Sequence, residues 1–179
     1  YKKDERFEES ITYYSEVKNK HPYSRFATMA ELAIADIEFE RENFGIAQTA
    51  YQVFKELHPT HPQADYVTFR LGLSIFKQLP GTVDRDLTQA SSAILYFNEV
   101  ITSYSKSKFV PEATKFRDKA HIMLQEKEIY IAEYYFKRKK WLSALNRFQG
   151  FIKTHPKSKF DKRAHYAATV SALKVKDYD

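Results

Sequence analysis

Four segments of this chain lie over one another on a ruler with steps of three, four and eight residues. Trp141, Ala144, Phe148 and Pro156 define it. Phe44, Ala47, Tyr51 and Pro59 fit without a gap, as do Phe7, Ser10, Tyr14 and Pro22. Ala90, Ala93, Phe97 and Ser105 fit with Ala for the first aromatic and Ser for the Pro. Steps of three and four put side chains on one helix face, and a Pro ends that helix because it cannot continue the hydrogen-bond ladder. A recurring unit of this kind constrains the fold more than composition does, since each copy must bury its apolar face against its neighbours. The copies start at 7, 44, 90 and 141, so their separations are 37, 46 and 51.

A second helix precedes each ruler but the first. In the last copy it carries Ile131, Ala132, Tyr135 and Phe136, and the polar turn Lys137–Lys140 joins it to Trp141. Ala35, Gly72 and Ala132 are matching small residues in these preceding helices, where two backbones must approach closely. The pair resembles a tetratricopeptide (TPR) unit. With 37 as the basic period, the third copy has gained nine residues, which fall in the turn around Pro80–Asp86. The fourth has gained fourteen between Ser105 and Ala132, about four helical turns, so they lengthen a helix without rotating its apolar face.

The expected fold is all-α, a TPR-like right-handed α-solenoid of about four to five helix-turn-helix repeats. Helices are expected over 7–20, 25–41, 45–57, 63–79, 87–104, 109–138, 142–154 and 159–176. Ser24 is the expected N-cap of the second, because its hydroxyl can accept an orphan backbone N–H. The motif Pro22-x-Ser24-x-Phe26 returns as Ser105-x-Ser107-x-Phe109 and Pro156-x-Ser158-x-Phe160. One continuous solenoid is expected, with a peptide-receiving half over 1–104 and a partner-docking half over 105–179. The abrupt ends read as those of a fragment whose first repeat lacks its first helix.

No run of about 20 apolar residues exists to span a membrane. With no Cys, thiol catalysis, Cys-based zinc sites and disulfides are excluded. The formal charge of +6 permits an acidic partner without demonstrating nucleic acid, and none is expected. His58 and His61 are spaced like metal ligands but lack a third. His58 also occupies the place of His21 and His155, before the terminal Pro, which argues for a structural role. Asp84-Arg85-Asp86 reads as a helix cap and solvated turn, with a partner contact as the alternative. Lys137-Arg138-Lys139-Lys140 reads as a solvated turn, with contact to phosphate or a membrane surface as the alternative. There is no Gly-rich phosphate loop, Gly-x-Ser-x-Gly or His-Glu-x-x-His, so neither an enzyme nor a cofactor is expected.

The TPR register assigns the inner face of the first helix in each repeat. These residues are Met29, Leu32, Asp36, Phe39 and Glu40, then Tyr66, Phe69, Leu73, Phe76 and Lys77, then Glu126, Ile129, Glu133, Phe136 and Lys137. An aromatic groove rimmed by charge suits an extended or helical peptide, the alternative being that several of these aromatics are core.

With the repeats placed, the chain resembles the BamD (ComL) family of outer-membrane β-barrel assembly lipoproteins. The resemblance rests on His21-Pro22-Tyr23-Ser24 and on Phe54-x-x-x-His58-Pro59-x-His61-Pro62, with Asp65-Tyr66 and Gly72-Leu73. It rests also on Asp84-Arg85-Asp86, followed by Ala90 and Phe97, and on Ala132-Glu133-Tyr134-Tyr135 with Trp141. It implies a non-enzymatic scaffold at the periplasmic face of the outer membrane, meeting the membrane only through an N-terminal lipid anchor outside this sequence. The implied partners are the periplasmic domain of the barrel-forming assembly subunit, unfolded outer-membrane proteins and other assembly lipoproteins. The implied peptide groove is Met29, Leu32, Asp36, Phe39, Tyr66, Phe69, Leu73 and Phe76. Docking of the assembly subunit is implied for Asp84, Arg85, Asp86, Lys119, Glu126, Lys127, Glu133, Lys137, Arg138 and Lys139. The other periplasmic reading is a Tol–Pal-associated TPR adaptor, which would be expected to lack the Arg85-Asp86 loop and the long helix.

Overall fold

A computed structural model describes residues 2–176. Among them are eight α-helices and no strands: α1 (Lys2–Lys20), α2 (Arg25–Glu40), α3 (Phe44–Leu57), α4 (Ala64–Lys77), α5 (Thr88–Ser103), α6 (Val110–Lys137), α7 (Trp141–Thr154) and α8 (Asp161–Lys176). The expected boundaries hold to within two residues, except that α1 begins at Lys2, five residues before the expected start at Phe7. Ser24 caps α2, its hydroxyl oxygen accepting the Ala27 N–H at 3.1 Å. The nine-residue insertion forms the irregular stretch between α4 and α5, and the fourteen-residue one makes α6 the longest helix, at 28 residues. The result is a TPR-like helical repeat.

The chain divides into two compact units. The first holds the residues up to Leu79 and Thr88–Ala120; the second holds Pro80–Leu87 and the residues from His121 onward. In the first, α1 packs on α2, α2 on α3, α3 on α4 and α4 on α5. Its core gathers the ruler residues Ala47, Tyr51, Ala93 and Phe97, all fully buried, with Ala35, Phe54, Val67, Phe69, Leu71 and Val100. Gly72 is needed where α4 meets α5. A Cβ there would lie 3.1 Å from Phe97 Cε1 and 3.2 Å from the Tyr96 Cβ. The first copy of the ruler is different: Ser10 is half-buried and Tyr14 is 39% exposed. Tyr13 and Val17 are exposed beside it.

In the second unit, Ala132, Ala144 and Phe148 are fully buried among Ile129, Phe151, Ala164, Ala167 and Ala168. The α2–α3 and α6–α7 turns are copies of one another. Glu42 and Lys139, each two residues before the next helix, have φ of 63° and 57°. In each, three successive N–H groups bond back to helix carbonyls: Arg41, Glu42 and Asn43 to Ile37, Phe39 and Glu38, and Arg138, Lys139 and Lys140 to Tyr134, Phe136 and Tyr135. These bonds satisfy carbonyls that a helix end leaves unpaired.

Candidate peptide and partner-docking faces

In the first unit the α2 and α4 faces converge on Asp36. The hydroxyls of Tyr51 and Tyr66 both donate to its Oδ1, at 2.6 and 2.7 Å. Arg70 Nε donates to the Tyr51 hydroxyl oxygen at 3.1 Å, and its Nη2 to Glu40 Oε1 at 3.3 Å. The Arg70 guanidinium carbon lies 3.7 Å from the centre of the Phe39 ring. Burial, then the hydrogen bond to Asp36, pushes both tyrosine hydroxyls well above their ordinary range, because each would place a second negative charge against a carboxylate.

The same device recurs in the second unit. Glu133 follows the small residue Ala132 as Asp36 follows Ala35. Arg163 of α8 clamps it with two bonds, Nε to Oε1 at 2.5 Å and Nη2 to Oε2 at 2.9 Å. Its guanidinium carbon lies 5.5 Å from the ring centre of Phe136, three residues after the acid as Phe39 is three after Asp36. The bond to Glu133 raises the Arg163 pKa. Two helical turns before Glu133, Glu126 accepts from Lys159 Nζ at 2.9 Å.

The expected groove residues therefore separate by depth. Leu32, Phe39, Phe69 and Leu73 are core side chains, each less than 10% exposed. Phe69 stacks on Phe109, and Phe76 meets Phe116 edge-on. Phe76 and Tyr66 are half-buried. Met29, at 62%, is exposed, and the half-buried Asp36 and exposed Glu40 continue its stripe along α2.

The expected docking residues separate by pairing. Glu133 is held by Arg163 of α8, and Glu126 by Lys159 in the turn before it. Lys127 Nζ donates to the backbone carbonyl of Arg85, which ties the loop to α6 within the second unit. Asp84, Arg85 and Asp86 are exposed on that loop. A hydrogen bond from the Thr82 side chain, above all, holds the Asp84 carboxyl below its ordinary range. Lys119 sits over Phe116 in the first unit, 5.4 Å from the ring centre. Lys137, Arg138 and Lys139 are exposed in the α6–α7 turn, Arg138 lying 4.4 Å from the centre of the Tyr134 ring.

The pre-proline histidines are structural in both units. His58 Nε2 is 3.0 Å from Glu31 Oε2, and His155 Nε2 is 3.1 Å from Glu128 Oε2. Each ring packs on the Phe four residues earlier, at 4.7 and 4.9 Å between centres. His61 turns to a different partner, its Nδ1 accepting the Gln63 N–H at 3.2 Å.

Sequence reasoning missed Tyr51, Arg70, Lys159 and Arg163 as members of these faces. A signal was present: an acid directly after the small residue in two repeats is a partly buried charge that needs a cation or hydroxyls from the next helix pair.

The family model for YfiO, described as an outer membrane lipoprotein, matches residues 2–177. Among curated relatives, the chain is 27% identical over 160 residues to an "outer membrane protein assembly factor BamD" of Neisseria meningitidis serogroup A / serotype 4A, covering 84% of this chain and 60% of the relative. It is 26% identical over 147 residues to the protein so named in Caulobacter vibrioides, covering 82% and 48%. For that of Rickettsia prowazekii the identity is 23% over 174 residues, covering 97% and 69%. The chain thus spans about half to two-thirds of the length of these relatives.

Proposed function

The chain belongs to the YfiO outer membrane lipoprotein family, and from that membership we propose that it is a non-enzymatic scaffold for assembling outer-membrane proteins. It works at the periplasmic face of the outer membrane as part of the β-barrel assembly machinery. The second unit docks the periplasmic domain of the barrel-forming subunit. The first unit receives unfolded outer-membrane protein chains. Other assembly lipoproteins join the same complex.

The observation that carries the docking half is the loop between α4 and α5. Its backbone is anchored by Lys127 at the Arg85 carbonyl, while the side chains of Asp84, Arg85 and Asp86 point to solvent. A fixed backbone presenting unburied charges suits partner recognition, because little ordering entropy is lost on contact. For the receiving half, Met29, Asp36 and Glu40 offer an apolar and acidic stripe along α2. Leu32, Phe39, Phe69 and Leu73 support that stripe from beneath rather than touching the guest.

The test is recovery of the barrel-forming subunit from solubilised envelopes by the chain and by its Arg85→Glu variant. Recovery by the parent chain and loss in the variant supports the reading. Equal recovery moves the interface off the loop. No recovery by either overturns the scaffold assignment.

A further inference from the structure

The charge of this protein is not spread evenly. Of its 29 Lys and Arg, 15 lie in the first unit and 14 in the second; of its 23 Asp and Glu, 15 lie in the first and 8 in the second. The whole net charge of +6 therefore resides in the second unit. Within its helices the described acids already have partners: Glu126 with Lys159, Glu128 with His155, Glu133 with Arg163, and Asp161 with His165. None of them reaches Lys137, Lys139 or Lys140.

Those lysines and Arg138 form the exposed α6–α7 turn. Apolar side chains flank it. Tyr134, at 46%, and Leu142, at 60%, are exposed, and Trp141 is half-buried with its ring edge-on to Phe136 at 5.5 Å. Cations interleaved with Trp, Tyr and Leu match the boundary between lipid headgroups and acyl chains, where amphipathic rings settle and each nearby cation adds attraction. No helix among the described residues is long and apolar enough to cross a membrane, so the contact is with a surface.

We propose that the turn Lys137–Lys140, with Tyr134, Trp141 and Leu142, docks the second unit on an anionic phospholipid surface. The sequence reading placed Lys137, Arg138 and Lys139 with the protein-docking residues; here they meet headgroup phosphates. The contact is separate from any lipid anchor, and it stands or falls apart from the protein docking at Arg85.

The experiment uses the chain itself with phosphatidylcholine vesicles, with and without phosphatidylglycerol. Trp141 is the only tryptophan and lies beside the turn, so its emission reports the contact directly. The expected result is a blue shift and co-sedimentation that require phosphatidylglycerol. The double variant Lys137→Gln/Lys139→Gln loses partitioning on the order of 25-fold, from two cations near the surface. The control Lys157→Gln/Lys162→Gln removes equal charge beyond the far end of α7. That helix has 14 residues and is therefore ~21 Å long, against a Debye length of ~8 Å. The control should keep binding within about twofold, since screening has cut its contribution. Equal loss in both variants, or no dependence on phosphatidylglycerol, overturns the proposal. Soluble polyglutamate is the remaining arm. If it binds as tightly as the vesicles while Trp141 emission stays put, the turn is a site for acidic protein and the proposal fails.

Discussion

The guanidinium carbon of Arg70 stands 3.7 Å from the centre of the Phe39 ring, while its Nε reaches the hydroxyl of Tyr51. One planar group thus joins an apolar ring, a buried phenol and, through Glu40, the surface. A lysine cannot reproduce that fork. Arg70→Lys should lose about 1–2 kcal/mol in urea unfolding, and Arg70→Ala more. Arg163→Lys should lose less than Arg70→Lys, because Arg163 is 46% exposed and stands 5.5 Å from Phe136. An equal loss at both positions would refute this account.

Burial and the Asp36 hydrogen bond raise the pKa of both Tyr51 and Tyr66 above the usual value of 10.0. A group whose folded pKa is raised contributes stability in full below its unfolded pKa and loses it as pH climbs through the folded one. Stability from these hydroxyls should therefore hold up to about pH 10 and fall above it. In an ultraviolet titration, the phenols of Tyr51 and Tyr66 should ionise only as the protein unfolds. Tyr51→Phe should remove one delayed phenol. It should also cost about 1 kcal/mol at neutral pH, through the donor lost from Asp36.

Gly72→Ala sets two effects against each other. Alanine gains about 1 kcal/mol of helix propensity. Its methyl would press on the ring of Phe97 and on the Tyr96 Cβ, neither of which can swing aside, and overpacking of a core costs about 1–3 kcal/mol. The expected net is a loss of about 1 kcal/mol, read as a lower urea midpoint at unchanged slope. A stabilised variant would show that the α4–α5 approach is looser than described.

Lys127 holds the loop by its backbone, so Lys127→Ala should release the loop and leave the helices intact. Limited proteolysis should then cut within Pro80–Leu87 faster, with the circular dichroism unchanged. Unchanged cleavage would mean that the loop is fixed by its own turns.

Helix positions were legible because apolar spacing marks each helix and, at several boundaries, a capping Ser or a terminal Pro coincides with it. Phe148, Phe97 and Tyr51 were found for the same reason, being buried wherever a ruler falls between two neighbours. Tyr14 fits the ruler yet stays exposed, because spacing records which way a side chain faces and not whether anything lies opposite it. Depth was illegible for a related reason. The register put Leu32, Phe39, Phe69 and Leu73 on one face, but Phe39 is covered by Arg70 of α4 and Phe69 by Phe109 from the α5–α6 turn, both distant in sequence. Arg70 and Arg163 escaped notice because each stands 30 residues after the acid it bonds, Glu40 and Glu133, far beyond the steps of three and four that mark one helix face.

Lys139 holds a left-handed backbone angle that glycine adopts without strain and lysine does not. A glycine there would relax the turn by about 1 kcal/mol. It would also delete one of four neighbouring positive charges. Robustness and adhesion therefore pull this single position in opposite directions. A selection for heat resistance that ignores membranes should drift toward Lys139→Gly, whereas one that demands attachment should keep the lysine and tolerate the strain.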